Sequence, residues 1–180
     1  RRQRQMCIRD RTEAAHSSAE KFIRLYPRHP NIDYAYFLKG LSSYTRDREL
    51  LVRFSNTDIS NRDISGAKES FSELTEFLIR FPDSQYAAYA KQRNIYLRNM
   101  IAKNELAAAD YYISIGAYVG AIRRASYVIE NIPNSSQNYR ALKILEKSYS
   151  SLGYTDLHED IKNILKINYS DRGSEQLVEE

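Results

Sequence analysis

Cysteine and long apolar runs are scarce in this chain, and tryptophan is absent. Cys7 is the single cysteine among 180 residues, which excludes an internal disulfide and a cysteine-based metal site. No apolar run approaches the roughly 18 residues of a membrane-spanning helix, and no apolar segment typical of an export signal precedes Cys7. We therefore expect neither a membrane span nor an export signal within the sequence as it stands.

Sequence motifs for catalysis or cofactor binding are also missing. His16, His29 and His158 are too widely spaced for a metal motif such as H-x-x-x-H. The sequence contains no nucleophile elbow, no phosphate-binding loop and no dinucleotide fingerprint. We therefore predict a protein that is not an enzyme and that uses neither a cofactor nor a metal.

The excess positive charge lies at one end of the sequence. Residues 1–11 contain five arginines and one aspartate, a net charge of +4, which equals the net charge of the whole chain. The remainder is neutral overall and has no general attraction for phosphate. Because residues 1–11 lack helical periodicity and turn residues, we interpret them as a disordered or foreign arm. A basic binding arm is the alternative.

Apolar residues recur at helical spacing through most of the chain. Phe71, Leu74, Leu78 and Phe81 fall on one helix face, and no segment alternates with the period of two that a strand requires. We therefore predict an all-α protein, with helices at about 12–26, 31–46, 66–81, 84–115, 117–132, 136–151 and 155–168. The segment 84–115 is either one long helix or two with a break near Lys103 and Asn104. Residues 47–65 are predicted to form a polar insertion.

Three segments end alike, each as an amphipathic helix followed by proline. They are E-K-F-I-R-L-Y-P ending at Pro27, T-E-F-L-I-R-F-P ending at Pro82 and S-Y-V-I-E-N-I-P ending at Pro133. Proline cannot continue a helix, so each segment marks the end of a repeated unit.

The clearest unit has the residue types of a tetratricopeptide repeat at the expected offsets. These residues are Tyr112, Gly116, Tyr118, Ala121, Ala125 and Pro133. Gly116 permits a tight turn, and Ala121 and Ala125 let neighbouring helices approach. Tyr149 and Gly153 repeat the four-residue step from Tyr112 to Gly116. We predict a tetratricopeptide α–α superhelix of antiparallel hairpins at 12–168, with about three and a half to four repeats, and a flexible tail at 169–180.

Two groups of side chains are candidates for binding a protein partner. Tyrosines at helical spacing indicate packing between repeats, or else a subset of them lines a groove for a peptide. They include Tyr34, Tyr36, Tyr86, Tyr89, Tyr96, Tyr111 and Tyr112. Arg123 and Arg124 are typical of a solvated pair, but on the exposed face of a repeat they can contact a partner's carboxylates.

Four motifs occur in a fixed order along the chain. They are P-x-H-P-N-I-D-Y-A at 27–35, D-x-S-x-R-D at 58–63, F-P-D-S-Q-Y at 81–86 and Y-Y-x-x-x-G-A-Y-V at 111–119. Together they resemble the BamD family, also called YfiO or ComL, which are tetratricopeptide lipoproteins of the β-barrel assembly machinery in Gram-negative bacteria. The resemblance covers about residues 14–168.

The resemblance implies a non-enzymatic scaffold on the periplasmic face of the outer membrane. Family members bind POTRA domains of the barrel-forming subunit, hold smaller lipoproteins of the complex, and help to recognise and insert unfolded outer-membrane proteins. Arg124 falls where the family places a basic contact residue. The expected partner-binding set is Arg124, Arg123, Tyr118, Asp58 and Arg62, and we expect Arg124→Glu to weaken POTRA binding without unfolding the protein.

The resemblance also implies that the amino terminus is truncated, because family members begin with a signal peptide, a lipidated cysteine, a first repeat and half of the second, and these are missing here. The lipid anchor is then missing, and Phe22 and Leu25 are expected to lose their cover. Two alternatives stay open: a generic periplasmic adaptor, for example in cell division, and a nucleic-acid-binding helical protein that uses the basic arm.

Overall fold

Seven helices make up the part of the chain that the structure describes. The computed structural model gives the backbone of residues 2–52 and 64–169 and the side chains of residues 12–43 and 64–169. In chain order the helices are α1 (Arg2–Leu25), α2 (Ile32–Val52), α3 (Ser65–Arg80), α4 (Ala87–Ser114), α5 (Tyr118–Asn131), α6 (Asn138–Leu152) and α7 (Thr155–Tyr169). No strand occurs in those two backbone ranges, and the predicted all-α class is confirmed.

Most helix boundaries lie close to those predicted, with two exceptions. α1 begins at Arg2 rather than near 12, and α2 continues to Val52 rather than ending near 46. The predicted polar insertion at 47–65 therefore begins in a helix and ends at the start of α3. Its middle part, residues 53–63 with Asp58 and Arg62, lies outside the described residues. Across the described ranges, no helix has both the length and the apolar character that crossing a bilayer requires.

The chain divides into two compact units, Arg1–Ile101 and Ala102–Glu180. α4 is one uninterrupted helix, so the alternative of a break near Lys103 and Asn104 is wrong. The predicted division into an arm at 1–11, a repeat array at 12–168 and a tail at 169–180 stays a prediction.

Close approach of α2 and α3 builds the core of the first unit. Leu74 and Phe77 of α3 are fully buried, and Leu74 lies against Gly40 of α2. A Cβ atom at Gly40 would lie 2.8 Å from Leu74 Cδ2 and 3.1 Å from the Leu74 backbone nitrogen. The Ser70 hydroxyl donates to the Gly40 carbonyl oxygen at 2.6 Å. Glycine therefore allows these two helices to approach more closely than a larger residue would permit.

The three prolines that end repeated segments share one local geometry. The residue before each proline donates its N–H to the carbonyl four residues earlier: Tyr26 to Phe22 at 2.8 Å, Phe81 to Phe77 at 2.9 Å and Ile132 to Val128 at 3.0 Å. Phe81 and Ile132 leave the helical region with φ of −132° and −127°, as expected of residues that precede proline. A new helix begins at the fifth residue after each proline: Ile32, Ala87 and Asn138.

A side chain two residues after each proline accepts a backbone hydrogen bond. The three bonds are Asn31 N–H to His29 Nδ1 at 3.1 Å, Tyr86 N–H to Ser84 Oγ at 3.3 Å and Gln137 N–H to Ser135 Oγ at 3.1 Å. Such bonds satisfy N–H groups just before a helix, where no helical partner exists. His29 thus makes the same contact that a serine makes at the other two joints, where a joint is the segment from each proline to the start of the next helix.

The turn between α4 and α5 is a Schellman motif centred on Gly116. Gly116 has φ of 74°, a left-handed conformation that favours glycine. The Ala117 N–H donates to the Tyr112 carbonyl at 2.8 Å, and the Gly116 N–H donates to the Ile113 carbonyl at 3.1 Å. The predicted turn at Gly116 is confirmed.

The turn between α6 and α7 repeats this geometry. Gly153 has φ of 75°, the Tyr154 N–H donates to the Tyr149 carbonyl at 3.0 Å, and the Gly153 N–H donates to the Ser150 carbonyl at 3.2 Å. The rings of Tyr149 and Tyr154 lie 6.4 Å apart, the contact that commonly accompanies this motif. Repetition of one turn in both hairpins confirms the predicted tetratricopeptide type of fold.

Candidate functional site

Small residues on one face of α5 let it pack closely within the second unit. Ala121 and Ala125 are fully buried. A Cβ atom at Gly120 would lie 3.0 Å from Tyr112 Cγ, so the Tyr112 ring covers this glycine. These contacts orient the opposite face of α5, with Arg123, toward solvent.

Arg124 contacts a carboxylate in the core of the second unit. Glu105 of α4 has a side chain that is only 4 % exposed, and its Oε2 atom lies 2.9 Å from Arg124 Nη1. The Arg124 side chain is 44 % exposed, so one edge of the guanidinium reaches inward while the rest faces water. A buried carboxylate needs such a partner, because an unpaired charge in the protein interior is strongly destabilising.

The electrostatics of Arg124 follow from this contact. The hydrogen bond to Glu105 raises the pKa of the Arg124 guanidinium above its ordinary value, burial lowers it in part, and Tyr112 raises it further. Arginine is already protonated at every pH at which proteins fold. The ion pair therefore keeps its cation throughout that range.

The predicted partner-binding residues are distributed unevenly around α5. Arg123 is exposed, and Tyr118 is half-buried at the first position of the helix. The Arg124 side chain is partly exposed and contacts the buried Glu105. The structure brings these three together on one helix, whereas Asp58 and Arg62 lie outside the described residues. Contact with Glu105 revises the expectation that Arg124→Glu leaves the fold intact. The assignment of these residues to partner binding stays a prediction.

A second polar cluster links the helices of the first unit. His16 Nε2 of α1 lies 2.8 Å from Glu73 Oε1 of α3, and the Ser43 hydroxyl of α2 donates to Glu73 Oε2 at 2.7 Å. Lys39 Nζ of α2 lies 3.3 Å from Glu73 Oε1. The Glu73 side chain is 12 % exposed. Its carboxylate contacts side chains of α1 and α2 and so links three helices.

His16, Glu69 and Glu73 also form a group whose possible ligand atoms lie within 4.8 Å of one another. Sequence spacing did not predict this group, because His16 and the two glutamates are far apart in the chain. The Lys39 ammonium contacts Glu73 Oε1, in the region where a metal ion would bind. The group is therefore better explained as an interhelical hydrogen-bond network than as a metal centre.

The tyrosines divide between packing and exposure. Tyr86 stacks on Phe37 with ring centroids 4.9 Å apart, and Tyr36 lies 5.3 Å from Phe81. The Arg80 guanidinium donates to the Tyr36 hydroxyl at 3.0 Å. Tyr89 and Tyr111 are 52 % and 63 % exposed. Packing is therefore confirmed for Tyr36 and Tyr86, and a peptide groove lined by exposed tyrosines stays a prediction. At the start of the first unit, Phe22 is half-buried, with its ring 5.4 Å from that of Tyr26, and Leu25 is exposed.

Sequence reasoning missed Glu105 as a determinant of the Arg124 environment. A signal for it existed, since Glu105 lies four residues from both Ile101 and Ala109, which are buried. A carboxylate on an apolar helix face predicts a cation nearby. Periodicity cannot name that cation, because it comes from another helix.

Comparison with known proteins identifies a matching family. The YfiO family, described as "Outer membrane lipoprotein", matches residues 8–164. This range contains the α5 surface and both polar clusters.

Several relatives are named outer membrane protein assembly factor BamD. The relative from Neisseria meningitidis (strain Z2491) is 36 % identical over 160 residues, which cover 89 % of this chain and 60 % of the relative. The relative from Xylella fastidiosa (strain 9a5c) is 38 % identical over 155 residues, which cover 86 % and 53 %. The relative from Vibrio cholerae (strain N16961) is 32 % identical over 152 residues, which cover 84 % and 63 %. The chain thus spans little more than half of the length of these relatives.

Proposed function

The chain belongs to the YfiO family of outer membrane lipoproteins, and from this membership we propose that it is a non-enzymatic scaffold subunit of the β-barrel assembly machinery. Relatives named as outer membrane protein assembly factors support this role.

The proposed location is the periplasmic face of the outer membrane of a Gram-negative bacterium. The proposed partners are POTRA domains of the barrel-forming subunit, accessory lipoproteins of the same complex and unfolded outer-membrane proteins. A helical repeat protein suits such work, because its helix faces offer extended surface without a catalytic centre.

We assign the POTRA contact to the solvent-facing side of α5, with Arg123, Arg124 and Tyr118. The observation that carries this assignment is the anchored guanidinium of Arg124, which Glu105 holds at 2.9 Å while 44 % of the side chain stays exposed. A cation that is already held in place loses less conformational entropy when a carboxylate binds it. Arg123 beside it adds a second, exposed charge.

Calorimetry with the isolated POTRA domains of the cognate barrel subunit tests this assignment. Arg123→Glu is the sharper variant, because it reverses an exposed charge and leaves the Glu105 contact intact. We expect the dissociation constant to rise about tenfold, since reversal replaces attraction by repulsion at the interface. Arg124→Glu is interpretable only together with its stability.

Lys162→Glu on the exposed face of α7 is the matched control. It makes the same change in net charge within the same unit but away from α5. Equal affinity of the wild-type chain and Arg123→Glu would count against the α5 assignment. Absence of any POTRA binding by a folded wild-type chain would count against the scaffold role itself.

A further inference from the structure

The second unit contains a groove between the end of α4 and one face of α6. Its volume is about 510 Å³. Asp110 and Ile113 line its α4 wall, and Arg140, Lys143, Ile144 and Lys147 line its α6 wall. The α6 residues fall at helical spacing, so their side chains form one continuous stripe.

Positive charge predominates in this groove. Arg140 forms an ion pair with Asp110 across it, and Lys143 Nζ lies 2.8 Å from Glu146 Oε2. Lys147 is exposed and makes no ion pair within residues 12–43 and 64–169. Its ammonium is therefore available for an anionic ligand.

The floor of the groove is apolar. Ile144 is 5 % exposed and Ile113 is half-buried, and both lie between the charged rims. An apolar side chain placed there would lose water-exposed surface, while a neighbouring carboxylate reached Lys147.

We propose that this groove binds an acidic segment of a partner protein in which carboxylates flank an apolar side chain. The occupant is a peptide chain rather than a nucleic acid, because the isoleucine floor favours an apolar side chain and offers no hydrogen bond to a sugar or a phosphate. The proposal is independent of the α5 assignment, since it concerns other residues and another ligand.

A second groove, in the first unit, has a different balance of charged residues along its walls. It has a volume of about 320 Å³ and lies among α1, α2 and α3. Lys21, Arg24 and Lys39 line it together with Glu20 and Glu76. Its three cations are accompanied by two carboxylates, whereas the three cations of the α4–α6 groove are accompanied by Asp110 alone among the lining residues.

Fluorescence anisotropy of the full chain with a synthetic peptide tests the proposal. The probe is a fluorescein-labelled peptide of four Glu-Glu-Leu units, and its counterpart has glutamine in place of every glutamate. We expect saturable binding of the glutamate peptide only. Lys147→Glu should weaken that binding about tenfold, and added salt should weaken it in the wild-type chain.

Lys166→Glu on the exposed face of α7 is the control for net charge. It should bind the glutamate peptide nearly as the wild-type chain does. Ile113→Ser tests the apolar floor separately and should weaken binding several-fold. Equal binding by Lys147→Glu and Lys166→Glu, equal binding of the two peptides, or no saturable binding by the folded chain would overturn the proposal.

Discussion

A largely buried glutamate lies between packed helices in each of the two units, and its charge is balanced differently in each. In the first unit, Glu73 contacts His16, Lys39 and Ser43, which come from two other helices. In the second unit, Glu105 pairs with Arg124 of α5. The side chains of Glu73 and Glu105 are 12 % and 4 % exposed, so water screens neither charge well.

We expect the two units to differ in how much stability each loses when one partner of its glutamate is removed. Glu105 is more deeply buried than Glu73. Removal of the Arg124 guanidinium therefore leaves a carboxylate that water screens less well than it screens Glu73 after the loss of one partner. The same arginine is assigned to partner binding, which couples the α5 surface to the stability of the unit that carries it.

The strongest test of this contrast is Arg124→Glu. The change places a second carboxylate beside Glu105, and we expect a loss of about 3 kcal/mol from the free energy of unfolding, the lower end for a broken buried pair because Arg124 is partly exposed. Urea unfolding followed by circular dichroism measures the loss. Hydrogen exchange by mass spectrometry should locate faster exchange in α5 and the end of α4.

Two variants control for this result. Arg123→Glu makes the same charge change on the neighbouring exposed residue and should alter stability by less than about 0.5 kcal/mol. Arg124→Met combined with Glu105→Met removes both charges and should recover most of the loss seen in Arg124→Met alone. Unchanged stability of Arg124→Glu would show that the ion pair does not support the second unit.

Lys39→Met tests the other half of the contrast. Methionine keeps the apolar stem of the lysine but removes the ammonium from Glu73, which retains His16 and Ser43. We expect a loss of about 1 kcal/mol, smaller than the loss of about 2 kcal/mol expected of Arg124→Met. The two variants are compared by urea unfolding under the same conditions. A greater loss in Lys39→Met would mean that the deeper burial of Glu105 does not make the loss of its cation more costly.

Turn and joint positions could be predicted from the sequence because they depend on local backbone chemistry. Pro27, Pro82 and Pro133 end helices wherever they occur, and Gly116 and Gly153 adopt a left-handed conformation that other residues disfavour. These effects act over a few residues, so no knowledge of tertiary contacts is needed.

Two features escaped prediction for different physical reasons. The start of α1 and the end of α2 were missed because apolar periodicity is weak there, although Arg, Gln, Glu and Leu in those segments have high helix propensity. The pairing of Arg124 with Glu105 was missed because it joins residues of two helices, and sequence alone does not show which faces meet. The candidate site was thus located to a helix, but the inward role of its central residue was not.

The two units can also be compared at their proline joints, where the expected changes in the free energy of unfolding are smaller. Ser135 in the second unit and His29 in the first accept equivalent backbone bonds, each at 3.1 Å, but Ser135 is 7 % exposed whereas His29 is exposed. Water can replace the His29 bond more easily. We expect Ser135→Ala to lower the free energy of unfolding by about 0.5 kcal/mol and His29→Ala by less. Hydrogen exchange at residues 131–140 and 26–35 measures both effects.

His29→Ser separates the role of the acceptor from the role of the ring. A serine hydroxyl accepts the same bond at the other two joints, so the joint should keep its exchange protection if the acceptor atom is what matters. The His29 ring also contacts Phe22 at 5.1 Å, and serine removes that contact. Protection in His29→Ser as low as in His29→Ala would therefore assign the role of His29 to its ring, and the three joints would no longer share one mechanism.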